Sequence, residues 1–375
     1  MKKFLVKCVL AVCITFCCLF YLDMMYEQKS DNPIAEINVF NFIPDSIQIA
    51  NVGSSHGQCD FDWNSLTRER GIQTFNFALT SQSYEYDYAL INMHKDDFAQ
   101  GSLLFIPVSY FSFNQEATDP NDIEAISVRY YRLLSPQYNP DYSLYKDLVT
   151  VRFPILSAGE EIFNLFKPPI LFPSLSENRQ NIVYAAEASP EGVDGSADAP
   201  NDASSASSVS ASDASSGTVL ESQSAEAQDA SVSQSPEEIY GAELVQEFEA
   251  KGYARYQRHF ENKTEYFQED KKQDLINLIT LCKERGITPI LITTPFTQYY
   301  NQYVSPQFMY DFYTVINEIA LEYGVSYYDY SHDERFQTNL KYFGDADHLN
   351  PDGAVYFTGL LMEEVAELKA YLETH

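Results

Sequence analysis

Positive charge is scarce in this chain. Its 375 residues include 24 lysines and arginines against 54 aspartates and glutamates, a formal net charge of -30. That balance excludes binding to a phosphate backbone by bulk electrostatics, so no nucleic-acid partner is expected, and it suits a solvated, extracellular protein. Cysteine is scarce where it would matter. Of the six, Cys8, Cys13, Cys17 and Cys18 lie in one apolar run, leaving Cys59 and Cys282 for the rest of the chain. This excludes a disulfide framework. A single Cys59–Cys282 bridge is the alternative, but Cys282 falls within an amphipathic helical pattern, so two buried thiols are expected. No Cys/His cluster has zinc-ligand spacing, and nothing calls for a metal or cofactor.

The N-terminus does carry a long apolar run. Met1-Lys2-Lys3 leads into Phe4 to Leu22, interrupted by Lys7 and Thr15. The run approaches the length of one membrane crossing, with its basic end expected to stay cytoplasmic. No small-x-small cleavage site follows, and Cys17-Cys18 lack the small residue that precedes a lipidated cysteine. Residues 1–27 are therefore expected to be an uncleaved anchor, with a cleaved signal peptide as the alternative. Either way the remainder is exported, and the uncleaved anchor makes the expectation a single-pass protein of the cell membrane with an extracellular domain.

A second compositional break falls at residues 187–236, where Ala, Ser, Asp, Glu and Gly replace almost every aromatic and large aliphatic residue. Such a segment buries too little apolar surface to offset the entropy of ordering, so a disordered insertion is expected. Loop-closure cost grows only logarithmically with length, so residues 28–186 and 237–375 can be two parts of one domain.

Those two parts alternate strand and helix. Ile47–Val52 reads as a β-branched strand, Leu66–Arg70 as a helix end stopped by Gly71, and Gln73–Leu79 as a second strand. A helix is expected over Tyr84–Phe98 and a buried strand over Leu103–Val108. After a Tyr-, Leu- and Pro-rich stretch from Asp119 to Phe172, with helices expected near Ile123–Leu134 and Ser157–Phe166, regular patterning returns. Tyr266–Arg285 has helical spacing closed by Gly286, Ile287–Pro295 is a nearly continuous apolar strand, and Pro306–Tyr323 is a helix ended by Gly324. Val325–Tyr330 is the last strand, and Asp352–Leu372 the last helix. Tyr130, Tyr131, Tyr138, Tyr142 and Tyr145 could stack on sugar rings, although core packing is the commoner use of such residues. This rhythm predicts an α/β fold of three layers around a parallel sheet with right-handed crossovers, with ligands at the carboxyl ends of the strands.

Two stretches carry chemistry. The first strand runs into Gly53-Ser54-Ser55-His56-Gly57, a serine on a glycine-flanked turn. Far downstream, Asp345-Ala346-Asp347-His348 precedes the last helix and supplies the general-base half of a nucleophilic hydrolase. The alternatives are a helix N-cap for Ser55 and a buried structural role for His348. His94, His259, His332 and His375 have no motif around them.

Together Gly53-Ser54-Ser55 and Asp345-x-x-His348 resemble the SGNH (GDSL-like) hydrolase and acyltransferase superfamily, with its three-layer, flavodoxin-like fold. The resemblance implies Ser55 as nucleophile, His348 as base and Asp345 as the group that orients it, with Asp347 the rival orienter. Where the family has Asn-x-x-x-x-Gly, the chain has Asn76 and Ser81, so the amides of Ser55 and Ser81 are the oxyanion donors implied, and Asn76 a turn residue before it is a donor. The family's Gly-x-Asn-Asp block is missing, with Pro107-Val108-Ser109-Tyr110 in its place. His56 is a substrate contact or a structural residue. Anchor, turn and Asp-x-x-His-Leu-Asn ending resemble the branch of teichoic-acid D-alanylation (DltD-type) and alginate O-acetylation proteins. That implies O-acyl transfer to or from a cell-envelope polysaccharide or teichoic-acid-like polymer, beside a membrane-bound O-acyltransferase. The rivals are a carbohydrate esterase and a non-catalytic envelope scaffold.

Overall fold

The computed structural model describes residues 2–29, 38–114, 129–147, 235–261, 263 and 265–375. The expected helix at Ser157–Phe166 and nearly all of the expected insertion at 187–236 lie outside the described residues. Helix α1 spans Lys2–Lys29, and its Lys2–Leu22 portion is long and apolar enough to cross a membrane.

The domain is wound around five parallel strands. Strand β1 (Ile47–Asn51) is followed by the short helix α2 (Ser55–Cys59) and by α3 (Asn64–Arg70), which Gly71 ends in the left-handed conformation at φ 68°. Then come β2 (Thr74–Asn76), α4 (Tyr84–His94) and β3 (Phe98–Pro107). Helix α5 (Ala242–Phe260) and α6 (Glu269–Glu284) lead to β4 (Thr288–Thr293). The chain continues through α7 (Gln298–Asn301), α8 (Pro306–Tyr323), β5 (Ser326–Asp329), α9 (Pro351–Glu364) and α10 (Ala366–Thr374). The strand order is β2-β1-β3-β4-β5, every pairing parallel, so β4 from the second half lies directly against β3 from the first.

Alternation along the central strands explains the three layers. Leu104, Ile106 and Leu291 face one cluster with Leu278 and Ile279 of α6 and Phe312 and Ile316 of α8. Leu103, Phe105, Ile290 and Ile292 face the other, with Leu66 of α3, Phe357 and Leu361 of α9, and Val245 and Phe248 of α5. Successive side chains of a strand point to opposite faces, so a stretch covered on both sides must be apolar at every position, as Leu103–Pro107 and Pro289–Ile292 are. Helix α8 forms where its sequence signals it. Ser305 accepts the N–H of Phe308, Pro306 occupies the first turn, and Phe308, Phe312, Ile316 and Ile319 make the buried stripe.

Several boundaries differ from the sequence expectation, and strand β3 begins at Phe98 rather than Leu103. Helix α4 stops at His94 rather than Phe98, because Asp97 turns the chain into the sheet: its carbonyl accepts the N–H of Ile47 at 2.7 Å and its carboxylate meets His94 Nδ1 at 2.9 Å. The last helix is two. Val365 is extended and fully buried, and its N–H bonds Leu361, so the core side chain interrupts the axis between α9 and α10. Strand β2 is only Thr74–Asn76. The tyrosines of the middle stretch divide. Tyr130 is buried and stacks on Tyr86 at 3.6 Å, whereas Tyr145 is exposed.

Helix α5 approaches α7 as closely as a glycine allows. A Cβ on Gly252 would lie 2.1 Å from the carbonyl oxygen of Tyr299. Gly252→Ala is expected to destabilise the protein by about 1–3 kcal/mol through overpacking against rigid backbone. Urea unfolding of the full-length protein in detergent checks this, and an unchanged midpoint would contradict it.

Candidate active site

Strand β1 delivers the serine turn to the carboxyl edge of the sheet. Gly53 has φ 112°, a conformation glycine adopts freely, and a Cβ there would meet the ring of Pro107 at 3.3 Å. The Gly53 N–H donates to Asp87 Oδ1 at 2.9 Å, and its carbonyl accepts the N–H of Leu79 at 3.1 Å. The turn is therefore pinned from two sides. Ser54 holds the N-cap position of α2 without a side-chain cap bond, which leaves Ser55 in the first helical position.

The histidine loop closes on itself. Phe343 and Leu349 form a β-bridge, and Gly344 N–H donates to the His348 carbonyl at 3.0 Å. Asp345 Oδ1 accepts the N–H groups of Asp347 and His348, at 3.1 and 2.9 Å. Such an aspartate turn explains why the residue three positions before the histidine can also reach its ring. His348 Nδ1 lies 2.9 Å from Asp345 Oδ2, and Nε2 lies 2.8 Å from Ser55 Oγ. The loop is tied to the serine side through Leu349 N–H, which donates to Asp60 Oδ1 at 2.9 Å. Asp60 is fully buried, and burial pushes its carboxyl up to about 7.

Asp347, the rival orienter, lies 3.5 Å from His348 Nδ1, farther than Asp345. It neither faces solvent nor caps the turn. Its side chain is 0% exposed and holds Arg255 in a fork, with Nε at 2.7 Å and Nη2 at 2.9 Å. His56 Nε2 is 3.5 Å away and His259 Nδ1 3.9 Å. Burial opposes ionisation of Asp347, but His348, His56 and Arg255 around it hold its carboxyl well below the ordinary carboxylate range. Burial likewise opposes protonation of His348, yet Asp347 and Asp345 raise the imidazole above its ordinary value.

The remaining sequence candidates lie around this centre rather than in it. His56 is fully buried between Phe111 and Phe296, its ring 4.8 Å from that of His348, and its Nδ1 lies 2.5 Å from Ser109 Oγ. Burial lowers it to about 4, so it is neutral and turned to the protein interior. Asn76 braces α2 from behind: its Nδ2 donates to the Gly57 carbonyl at 3.0 Å, and its Oδ1 accepts the N–H of Ala78 at 2.9 Å. Ser81 is exposed with φ 58°, and among the described residues no hydrogen bond joins it to Ser55 or His348. Cys59 and Cys282 are thiols, not a disulfide.

Arg255 and His259 escaped the sequence reading. Both lie on α5, and with the buried Val245, Phe248 and Gly252 they continue one stripe at spacings of three and four. A basic residue and a histidine extending an otherwise apolar stripe is the signal that would have found them. His56, Asp347 and His348 offer ligand atoms within 4.8 Å of one another. A metal ion there would have to displace the guanidinium that already forks Asp347 and stands 3.4 Å from His348 Nε2, so the donor set does not suit one.

Residues 195–358 match the model of a family described as DltD protein. The chain resembles this DltD-type cell-envelope family over that stretch, which holds Arg255, His259, Asp345, Asp347 and His348 but not Ser55. No curated protein sequence matches the chain.

Asp87, which anchors the serine turn, generates a test. Burial pushes its carboxyl up to about 7, against the hydrogen bonds of Gln82 and Gly53, and its Oδ2 is buried without a partner. The folded protein thus keeps a proton that the unfolded chain releases near pH 4, so stability falls as pH rises from that value through 7. Asp87→Asn retains an acceptor and never ionises. Its stability relative to wild type is expected to grow by about 1–3 kcal/mol between pH 4 and 7 and then level off. Unfolding curves across that range check it, and a difference independent of pH would contradict it.

Proposed function

We infer that this chain, which resembles the DltD family over residues 195–358, works in D-alanylation of teichoic-acid-like polymers at the cell envelope, and does so by acyl transfer through Ser55. The observation that carries the reading is the continuous line from Asp345 through both nitrogens of His348 to Ser55 Oγ, at 2.9 and 2.8 Å. A serine hydroxyl is a poor nucleophile until a base within hydrogen-bond reach takes its proton.

In this reading Ser55 Oγ attacks the carbonyl carbon of an activated acyl donor while His348 Nε2 takes the hydroxyl proton. The tetrahedral intermediate collapses, the bond to the leaving group breaks, and His348 returns the proton to that group. The acyl ester on Ser55 is then attacked by a polymer hydroxyl, whose proton passes to Nε2 and on to Ser55 Oγ. Asp345 holds Nδ1–H so that Nε2 presents its lone pair, and stabilises the imidazolium. The N–H of Ser55, in the first turn of α2 where a helix offers no acceptor, is the assigned oxyanion donor, with the N–H of Ser81 second. Water in place of the polymer hydroxyl gives an esterase. A non-catalytic envelope protein is the second reading favoured by an observation: Ser109 stands where the superfamily has an oxyanion asparagine, and its hydroxyl is taken by His56.

Labelling of the full-length protein in detergent with a fluorophosphonate probe separates the catalytic readings from the non-catalytic one. Label is expected on Ser55, lost in Ser55→Ala and His348→Ala and slowed about a hundredfold or more in Asp345→Asn. The base must be unprotonated to act, and Asp347 and Asp345 hold the proton on His348 to a pH above the ordinary histidine value. The labelling rate is therefore expected to fall on acidification from a midpoint above pH 6.5, and the midpoint to move down in Asp345→Asn. A folded wild type that takes no label would favour the non-catalytic reading.

A further inference from the structure

The proposed acyl chemistry leaves one charge without a role. Two carboxylates, Asp345 and Asp347, lie 2.9 and 3.5 Å from the same nitrogen of His348. Unopposed, they would keep the imidazole protonated and useless as a base. We propose that Arg255 is a positioning residue that offsets the charge of Asp347, so that His348 gives up its proton more readily than the two carboxylates alone would allow and keeps Nε2 turned to Ser55. The inference rests on the reading of Ser55 and His348 as nucleophile and base.

The geometry supports it from three sides. Asp347 is wholly buried, and Arg255 is matched to it by a two-bond fork at 2.7 and 2.9 Å, an arrangement an ammonium group does not reproduce. The same Nη2 stands 3.4 Å from His348 Nε2, on the ring edge that also meets Ser55, so a proton arriving there is repelled at short range. The other groups that face His348 do not supply this charge. His56 and Asp60 approach it from α2 and the residue after it and His259 from α5, while Tyr300 of α7 faces Asp347 and Arg255. Burial holds both histidines below their ordinary value and Tyr300 far above its own, so all three are neutral near pH 7, and Asp60 contributes no positive charge in either state. Among the described residues, Arg255 is the cation that is fixed at the site. It is delivered by α5, whose approach depends on Gly252.

The test is the titration of the His348 ring, followed by carbon NMR of the full-length protein in detergent with label at histidine Cε1, the signal assigned by its loss in His348→Gln. Arg255→Gln is expected to raise the midpoint by about one pH unit or more, and Arg255→Lys by less. Asp347→Asn is expected to lower it. Adding Arg255→Gln to Asp347→Asn is expected to raise it again, and this neutral pair keeps the question answerable where the single variant, with an unpaired buried carboxylate, does not fold. A midpoint that stays put or falls on loss of Arg255, in either background, would overturn the proposal. The titration does not require Ser55 to react, so an unlabelled Ser55 would count against the acyl chemistry while leaving this measurement readable.

Discussion

Asp347 is a carboxylate with no exposed surface, and much of the site is arranged by the need to compensate it. Removing an ion from water costs several kcal/mol unless geometry and hydrogen bonds restore what hydration gave. Here the charge is compensated by Arg255 on α5, and three imidazoles stand around it at 3.5 to 3.9 Å. These partners come from the serine turn, from the start of the second half and from the histidine loop. One buried charge thus ties together three stretches that are distant in sequence. The docking of α5 is part of the same arrangement, because the guanidinium reaches Asp347 only if Gly252 lets the helix lie against Tyr299.

The sheet supplies the rest of the placement. Ser55 and His348 are 293 residues apart in sequence. They meet because β1 occupies an inner position beside β3, β3 pairs with β4, and the serine turn and the histidine loop leave the same edge. Asp87 pins Gly53 and Asp60 pins Leu349, so the serine turn and the histidine loop are both held by buried carboxyls that burial drives toward the neutral acid. A neutral acid close to the site accepts backbone N–H bonds without adding a second buried charge to that of Asp347.

The legible parts of the fold were those with local causes. Helix α8 was bounded by Ser305-Pro306 and Gly324, β4 by its unbroken apolar run, and α3 by Gly71, each a signal contained in a few residues. The split of the last helix was not legible. Val365 breaks the axis for a tertiary reason, the burial of its own side chain, and no glycine or proline marks the place. At the site, Asp345 and His348 could be paired from the sequence because they are three positions apart. The choice between Asp345 and Asp347 could not be made there, since it depends on Arg255, 92 residues from Asp347. His56 was visible as a neighbour of Ser55, but its inward direction follows from Ser109, Phe111 and Phe296, which only the fold assembles.

The most direct measurement of the central claim is peptide mass mapping of the full-length protein after exposure to a D-alanyl thioester. The expected result is one alanyl group on the peptide containing Ser55, lost on addition of polymer acceptor and never formed in Ser55→Ala. Transfer to the acceptor by Ser55→Ala at the wild-type rate, or an alanyl group held by a different residue, would contradict it.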